Sequence, residues 1–183
     1  MNIHEIRIDS STIIKAFDCG DEDLNEFLLE KSKDYQQELL ATTFVIENET
    51  QTLAYYSIFN DSFRIEDVSF ASKNAFKNFL RLLLPHPKRH LKSYPAIKIG
   101  RLAISKQAQK LGLGRKIIDT VIDFAIKQNE HCACKFILVD AYKDALGFYE
   151  KMQFKYFSDN DSKDEIRQMY LNITPIINAK RMV

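Results

Sequence analysis

Hydrophobic positions along this chain recur with a period near two in some stretches and near 3.6 in others, and the changes of period mark out its elements. Ile3, Ile6 and Ile8 predict a short first strand. Phe17-Asp18-Cys19-Gly20 reads as a turn, after which Asp21, Glu22 and Asp23 crowd the start of a helix, where negative charge is favourable. Leu24, Phe27, Leu28, Tyr35 and Leu39 then share one helical face, with Glu26, Glu30, Lys31, Lys33 and Asp34 outside it. Residues 42–47 and 53–58 are β-rich runs joined by Asn48-Glu49-Thr50-Gln51, a polar turn of hairpin length. Residues 59–67 carry no usable period. Helical spacing returns at Phe70, Ala71, Ala75, Phe76, Phe79, Leu80 and Leu83, and Pro85 and Pro87 end it.

After a basic loop from Pro85 to Pro95, Ile97, Ile99, Leu102 and Ile104 form an apolar run broken by Gly100. Gln109-Lys110-Leu111-Gly112-Leu113-Gly114 leads from it into a helix with a stripe of Ile117, Ile118, Val121, Ile122 and Ala125. The unbroken run Phe136-Ile137-Leu138-Val139 marks a strand buried on both faces. A short helix over 145–152 and two closing strands, 154–157 and 167–173, surround a polar loop, and the last dozen residues are expected to be loosely ordered. This order predicts a single α/β domain over 1–183, with a central mixed sheet flanked by helices on both faces.

Chemistry enters at the glycine turn. The first four N–H groups of a helix have no partner within it, and glycines let a backbone approach a ligand closely. With the helix dipole, and with Arg115 and Lys116 beside them, such donors can hold a pyrophosphate. The spacing alone also fits a plain turn before an ordinary helix. It lacks the third glycine of a dinucleotide fingerprint, and Arg115-Lys116 stands where a nucleotide-triphosphatase loop has Lys followed by Ser or Thr.

Charge sharpens the picture. The formal net charge is +1, yet residues 68–118 contain no Asp or Glu and twelve Lys or Arg, an asymmetry that points to an anionic ligand or partner near the turn. No apolar run reaches the roughly 20 residues that span a bilayer, so no membrane association is expected. Met1-Asn2-Ile3-His4-Glu5 lacks the features of a secretory signal, and three cysteines do not make a disulfide scaffold, so a cytoplasmic location is expected. His131-Cys132-Ala133-Cys134 lacks a second ligand pair at zinc spacing, so no metal is expected.

Two ordered motifs carry a resemblance. Gly100-Arg101-Leu102-Ala103-Ile104 precedes Gln109-Lys110-Leu111-Gly112-Leu113-Gly114-Arg115, and Phe148-Tyr149-Glu150-Lys151-Met152-Gln153-Phe154 follows a buried strand. The chain resembles the GNAT superfamily of acetyl-CoA-dependent N-acetyltransferases. Phe17-Asp18-Cys19-Gly20 with Leu24-Asn25-Glu26-Phe27-Leu28, Thr43-Phe44-Val45, Ala54-Tyr55-Tyr56-Ser57 and the basic proline-containing loop is similar to the subgroup that contains tRNA-acetylating toxins of toxin–antitoxin modules. Gln153 replaces the usual Gly before Phe154, and Tyr142 stands where many members have a cofactor-contacting Asn.

The resemblance implies an acyltransferase that moves an acetyl group from acetyl-CoA, without a metal, to a primary amine. It implies that Leu102, Ala103 and Ile104 pair with the pantetheine arm and that Gln109, Lys110, Leu111, Gly112, Leu113, Gly114 and Arg115 hold the pyrophosphate. Tyr149 becomes the general acid to the departing thiolate, and Lys88, Arg89, Lys92 and Arg101 become candidates for acceptor phosphates. The acceptor candidates are the amino group of aminoacyl-tRNA and a small-molecule or protein amine; a non-catalytic CoA-binding module is the third reading. Candidate protein partners are an antitoxin and a second copy of the chain. Glu47, Asp140 and Asp144 are available carboxylates for a general base, with surface or capping roles as the alternative, and Tyr55 and Tyr56 could line an acceptor site, one of them facing the core.

Overall fold

A computed structural model describes residues 3–68, 70, 72–83, 91–158 and 161–181. A seven-stranded mixed sheet is flanked by helices, in the order β1-β2-β3-β4-β5-β7-β6. The strands are β1 (His4–Arg7), β2 (Thr42–Glu47), β3 (Thr52–Arg64), β4 (Ser93–Ile104), β5 (Phe136–Tyr142), β6 (Lys155–Tyr156) and β7 (Ile166–Asn172). The helices are α1 (Glu22–Glu26), α2 (Ser32–Gln37), α3 (Lys73–Leu83), α4 (Leu113–Gln128), α5 (Leu146–Lys151) and α6 (Thr174–Arg181), with a π-turn, Phe27–Lys31, joining α1 to α2. Of the stretch without a period, residues 59–64 continue β3, whose second half alternates too weakly to read, and Ile65–Asp67 form a 3₁₀ turn. Within the tail expected to be loose, Thr174–Arg181 form α6, preceded by Asn172, whose side chain accepts the Thr174 N–H at 3.1 Å. Two compact units emerge: Met1–Phe59 with Lys98–Phe124, and Asn60–Ile97 with Ala125–Val183.

In the first unit, Asp21 caps α1 by accepting the Leu24 N–H at 3.1 Å, with Glu22 and Asp23 in the first turn. The core gathers Ile8, Phe17, Phe27, Leu28, Val45, Tyr55 and Ala103. Val45 pairs with Tyr55 across β2 and β3, so strand alternation puts Phe44 and Tyr56, another cross-strand pair, on the opposite face, where their rings stack at 5.0 Å. Burying each such large side chain contributes about 1.5–3 kcal/mol. Tyr55 and Tyr56 are therefore both inside, where one alone is expected to face the core, the former donating to the Leu24 carbonyl at 2.8 Å and the latter to Glu5 at 3.2 Å. Glu47, expected in a surface or capping role, is 7% exposed and paired with Lys15 at 2.7 Å.

The predicted apolar face of the first helix is interrupted. Ser32 and Gln36 are buried on it, Ser32 bonding back to the Leu28 carbonyl at 2.6 Å and Gln36 accepting the Thr43 N–H at 3.1 Å. Leu39 lies past the helix, 87% exposed, at φ +59. The Leu40 N–H reaches the Tyr35 carbonyl at 2.9 Å and the Leu39 N–H reaches Gln36 at 3.3 Å, the paired bonds of a left-handed helix ending.

In the second unit, Phe63, Phe79, Leu83, Tyr94, Ala96, Phe136, Leu138, Phe157 and Tyr170 form the core, with Ile65, Val68 and Phe70 against it. Phe63 stacks on Phe157 at 4.1 Å, and Phe157 on Tyr170 at 4.4 Å. Leu138 pairs with Tyr170 across β5 and β7, and Val139 with Met169; Phe136 to Val139 are 0–3% exposed, buried on both faces as the unbroken apolar run requires.

Candidate active site

In the first unit, β4 delivers the chain to a tight connection. Ser105 N–H donates to the Leu53 carbonyl at 2.8 Å, and a 3₁₀ turn, Lys106–Ala108, leads on through Gln109 to α4. Leu102 and Ile104 are half-buried and Ala103 is buried, while Gln109, Lys110, Leu111, Gly112, Arg115 and Lys116 are exposed and Leu113 and Gly114 are buried. The buried pair seats the helix; the exposed residues leave its mouth open.

The backbone there is special. Gly112 stands at φ +79 and Lys110 at φ +66. A Cβ built on Gly112 would meet nothing within 4 Å, so this glycine is required by its conformation and leaves open space in front of it. Lys110 carries the same left-handed cost without a glycine's freedom, a strain of the kind that collects at ligand clamps. Within α4 the ladder begins with the Lys116 N–H on the Gly112 carbonyl at 3.1 Å, so the N–H groups of the first turn have no intrahelical acceptor. No acidic side chain occupies that turn. The positive end of the helix dipole is thus unopposed by any local carboxylate, which fits a diphosphate.

Arg101, proposed for acceptor phosphates, is half-buried, its guanidinium 3.8 Å above the Phe27 ring and 5.9 Å from that of Tyr35. Nothing in the sequence pattern pairs Arg101 with Phe27; the contact follows from β4 alternation, which puts Arg101 on the face of Ala103. Gly100 is close-packed: a Cβ there would stand 2.6 Å from a Phe59 ring carbon.

Tyr149 belongs to the second unit. It is 6% exposed, between Phe148 at 5.0 Å and Phe154 at 5.3 Å, both edge-on, and burial pushes its phenol well above the ordinary tyrosine range. α5 ends as a Schellman motif: Phe154 N–H donates to the Tyr149 carbonyl at 3.0 Å and Gln153 N–H to the Glu150 carbonyl at 2.9 Å, with Gln153 at φ +68. The usual glycine of the family motif is thus the left-handed residue of this ending, and Gln153 occupies it under strain. Lys92 is exposed, its carbonyl accepting the Ile65 N–H at 3.1 Å; Lys88 and Arg89 lie outside the described residues. Tyr142 is 52% exposed. Of the possible bases, Glu47 is taken by Lys15, Asp140 receives the Gln168 amide at 3.4 Å and Asp144 sits exposed in a 3₁₀ turn.

Around the two cysteines, Cys134 is buried, its N–H given to the Asn129 side chain at 3.0 Å. Cys132 is exposed, and among the described residues no three His, Cys, Asp or Glu side chains converge. No helix among the described residues is long and apolar enough to cross a membrane.

Residues 88–174 match the acetyltransferase (GNAT) domain family. The chain carries a GNAT acetyltransferase domain and is an acyltransferase of that type. Solved structures share its fold over essentially the whole chain. AtaT complexed with acetyl-methionyl-tRNAfMet superposes with a TM-score of 0.76 at 19% identity, covering 98% of this chain and 99% of that one. A tyrosine-to-phenylalanine variant of the AtaT toxin, bound to the C-terminus of the antitoxin AtaR and to acetyl-CoA, gives 0.73 at 18%, covering 99% of each chain. A tyrosine-to-phenylalanine variant of KacT gives 0.75 at 22%, covering 98% and 99%.

Proposed function

We propose that this acetyltransferase moves the acetyl group of acetyl-CoA to the amino group of an aminoacyl-tRNA, in a toxin-like role. The observation that carries the cofactor half is the open left-handed turn at α4, with Gly112 at φ +79, free space before it and no acid in the first helical turn. Main-chain N–H groups from Lys110 to Arg115 hold the diphosphate there. The end of β4 at Leu102, Ala103 and Ile104 offers its backbone to the pantetheine arm as a further strand would, and an N–H of that stretch polarises the thioester carbonyl.

The amine nitrogen attacks the carbonyl carbon, the carbon–sulfur bond breaks, and Tyr149 returns a proton to the sulfur. The phenol carries that proton at neutral pH, as any tyrosine does, and burial favours its neutral form further. Glu47 is already paired with Lys15, and the amine's own proton leaves to water.

The acceptor half rests on the basic stretch, in which Lys88, Arg89, Lys92 and Arg101 are free of sequence-local acids, and on the AtaT structure containing acetyl-methionyl-tRNAfMet. An antitoxin protein is the expected partner, by analogy with AtaT bound to AtaR. Labelled acetyl-CoA offered side by side to charged tRNA, peptides and small amines decides the acceptor. Label on tRNA, released with the amino acid by mild base, is the expected result; label only on peptides or small amines replaces the tRNA reading with the alternative amine. Changing Lys88, Arg89 and Lys92 together to Ala should lower tRNA affinity and flatten its salt dependence, because each neutralised phosphate releases counterions.

A further inference from the structure

The turn Phe17-Asp18-Cys19-Gly20 has no part in the chemistry above, yet it is built against the approach to the cofactor turn. Asp18 grips Lys106 twice: its carbonyl accepts the Lys106 N–H at 2.9 Å, and its carboxylate takes the Lys106 ammonium at 2.7 Å. The other carboxylate oxygen accepts the Gly20 N–H at 2.8 Å and the Asn25 amide at 3.1 Å. Asn25 in turn accepts the Cys19 N–H at 3.0 Å. Gly20, at φ +92, lies under the lysine stem: a Cβ there would stand 2.9 Å from Lys106 Cε. A side chain at position 20 would push the lysine away.

The far end of this tether is the cofactor turn. Lys106 opens the 3₁₀ turn in which Ala108 N–H bonds back to Ser105 at 2.9 Å, and four residues later comes strained Lys110, at φ +66. The side chains of the ion pair are 57% and 59% exposed, so the pair adds little to global stability. Its geometry is nevertheless fixed by the Lys106, Asn25 and Gly20 donors, which together hold the Asp18 carboxyl down to about 2.

We infer that Asp18 is a positioning residue for acetyl-CoA binding: through Lys106 it fixes the segment that sets the left-handed turn at the mouth of α4. The inference rests on the reading that this turn holds the diphosphate. It makes a prediction opposite in sign to simple electrostatics. Removing a negative charge near an anion site should tighten binding through the field alone; removing a tether should weaken it, as small misplacements of binding groups do.

Calorimetry of acetyl-CoA binding to the full chain tests this with Asp18→Asn, Lys106→Gln, the double variant and Lys106→Arg. Asp18→Asn is expected to raise Kd about tenfold, with a melting temperature within about 2 °C of the wild type. The double variant should lose no more than either single one, as expected for residues acting as a unit. Lys106→Arg, which keeps the charge, should restore Kd to within about twofold of the wild type. In steady-state assays with charged tRNA the Asp18→Asn effect should fall on the KM for acetyl-CoA and not on kcat. An Asp18→Asn protein that binds acetyl-CoA as tightly as the wild type, or more tightly, overturns the positioning role alone. A wild type that registers no binding overturns the cofactor reading itself and this inference with it.

Discussion

The glycine turn at α4, proposed to hold the cofactor diphosphate, and the tyrosine segment of α5, proposed to supply the proton, are built on opposite principles. At Gly112 the chain presents backbone and empty space, and the neighbouring side chains Lys110, Leu111 and Arg115 point to solvent. At Tyr149 one side chain is buried between Phe148 and Phe154, and the backbone around it closes on its own hydrogen bonds. The difference teaches where substitutions should act. A site made of main-chain donors is sensitive to conformation and tolerant of side-chain identity, whereas a site made of one hydroxyl is sensitive to a single atom.

The largest expected effect follows from the second principle. Tyr149→Phe removes only the hydroxyl, so kcat should fall by about 10²–10³-fold, within the span of general acid catalysis, while calorimetric affinity for acetyl-CoA stays unchanged. If affinity falls instead, Tyr149 is a binding residue and the contrast fails. Since burial raises the Tyr149 pKa, the phenol stays protonated through neutral and moderately alkaline pH. The kcat profile should therefore show no loss of this acid up to about pH 10, the ordinary tyrosine value. For stability the sign is the same: the preference for the neutral phenol is present below that value and is lost as pH climbs through the raised one.

The next effect follows from the first principle. Gly112→Val forces a branched side chain into φ +79, and should raise the KM for acetyl-CoA by about tenfold with kcat little changed, from a left-handed cost of about 1–2 kcal/mol. Leu111→Ala, one residue away and 67% exposed, should change KM by less than about twofold, which is the sharper half of the test.

Packing next to the turn gives a smaller effect on a different observable. At Gly100 a Cβ would stand 2.6 Å from Phe59, so Gly100→Ala should destabilise by about 1–3 kcal/mol, read as a lower melting temperature. The smallest effect has the opposite sign. Gln153 sits at φ +68 where Gly112 sits at φ +79, so Gln153→Gly should stabilise by about 0.5–1 kcal/mol, the left-handed cost less the glycine entropy. Denaturant titration of Gln153→Gly and Gly112→Val, one bringing a glycine into the left-handed conformation and one removing it, would show the signs directly.

Much of this arrangement was legible beforehand because it depends on local periodicity and on glycine placement. The β4–turn–α4 unit follows from Ile97 to Ile126, and the doubly buried β5 from four consecutive apolar residues. What escaped depends on contacts distant in sequence or on backbone detail. The π-turn at Phe27–Lys31 changes which residues face inward, so Ser32 and Gln36 are buried through hydrogen bonds that composition does not announce. Leu39 fits the helical spacing but falls one residue past the cap. Glu47 reads as a surface acid until Lys15, thirty-two residues earlier, is seen beside it. The second half of β3 and the helix α6 were missed because neither carries a strong apolar period, and Arg101 on Phe27 joins elements whose proximity only the sheet order supplies.

The aromatic column of the second unit has a practical consequence. Phe63, Phe157 and Tyr170 lie with successive ring centroids 4.1 and 4.4 Å apart, within one another's ring currents, so their proton resonances should be displaced upfield in the magnetic spectrum. The chain has no tryptophan to crowd that region or to dominate its fluorescence. Those displaced signals would report the integrity of the unit that houses Tyr149, and so show whether a loss of turnover arises from chemistry or from melting.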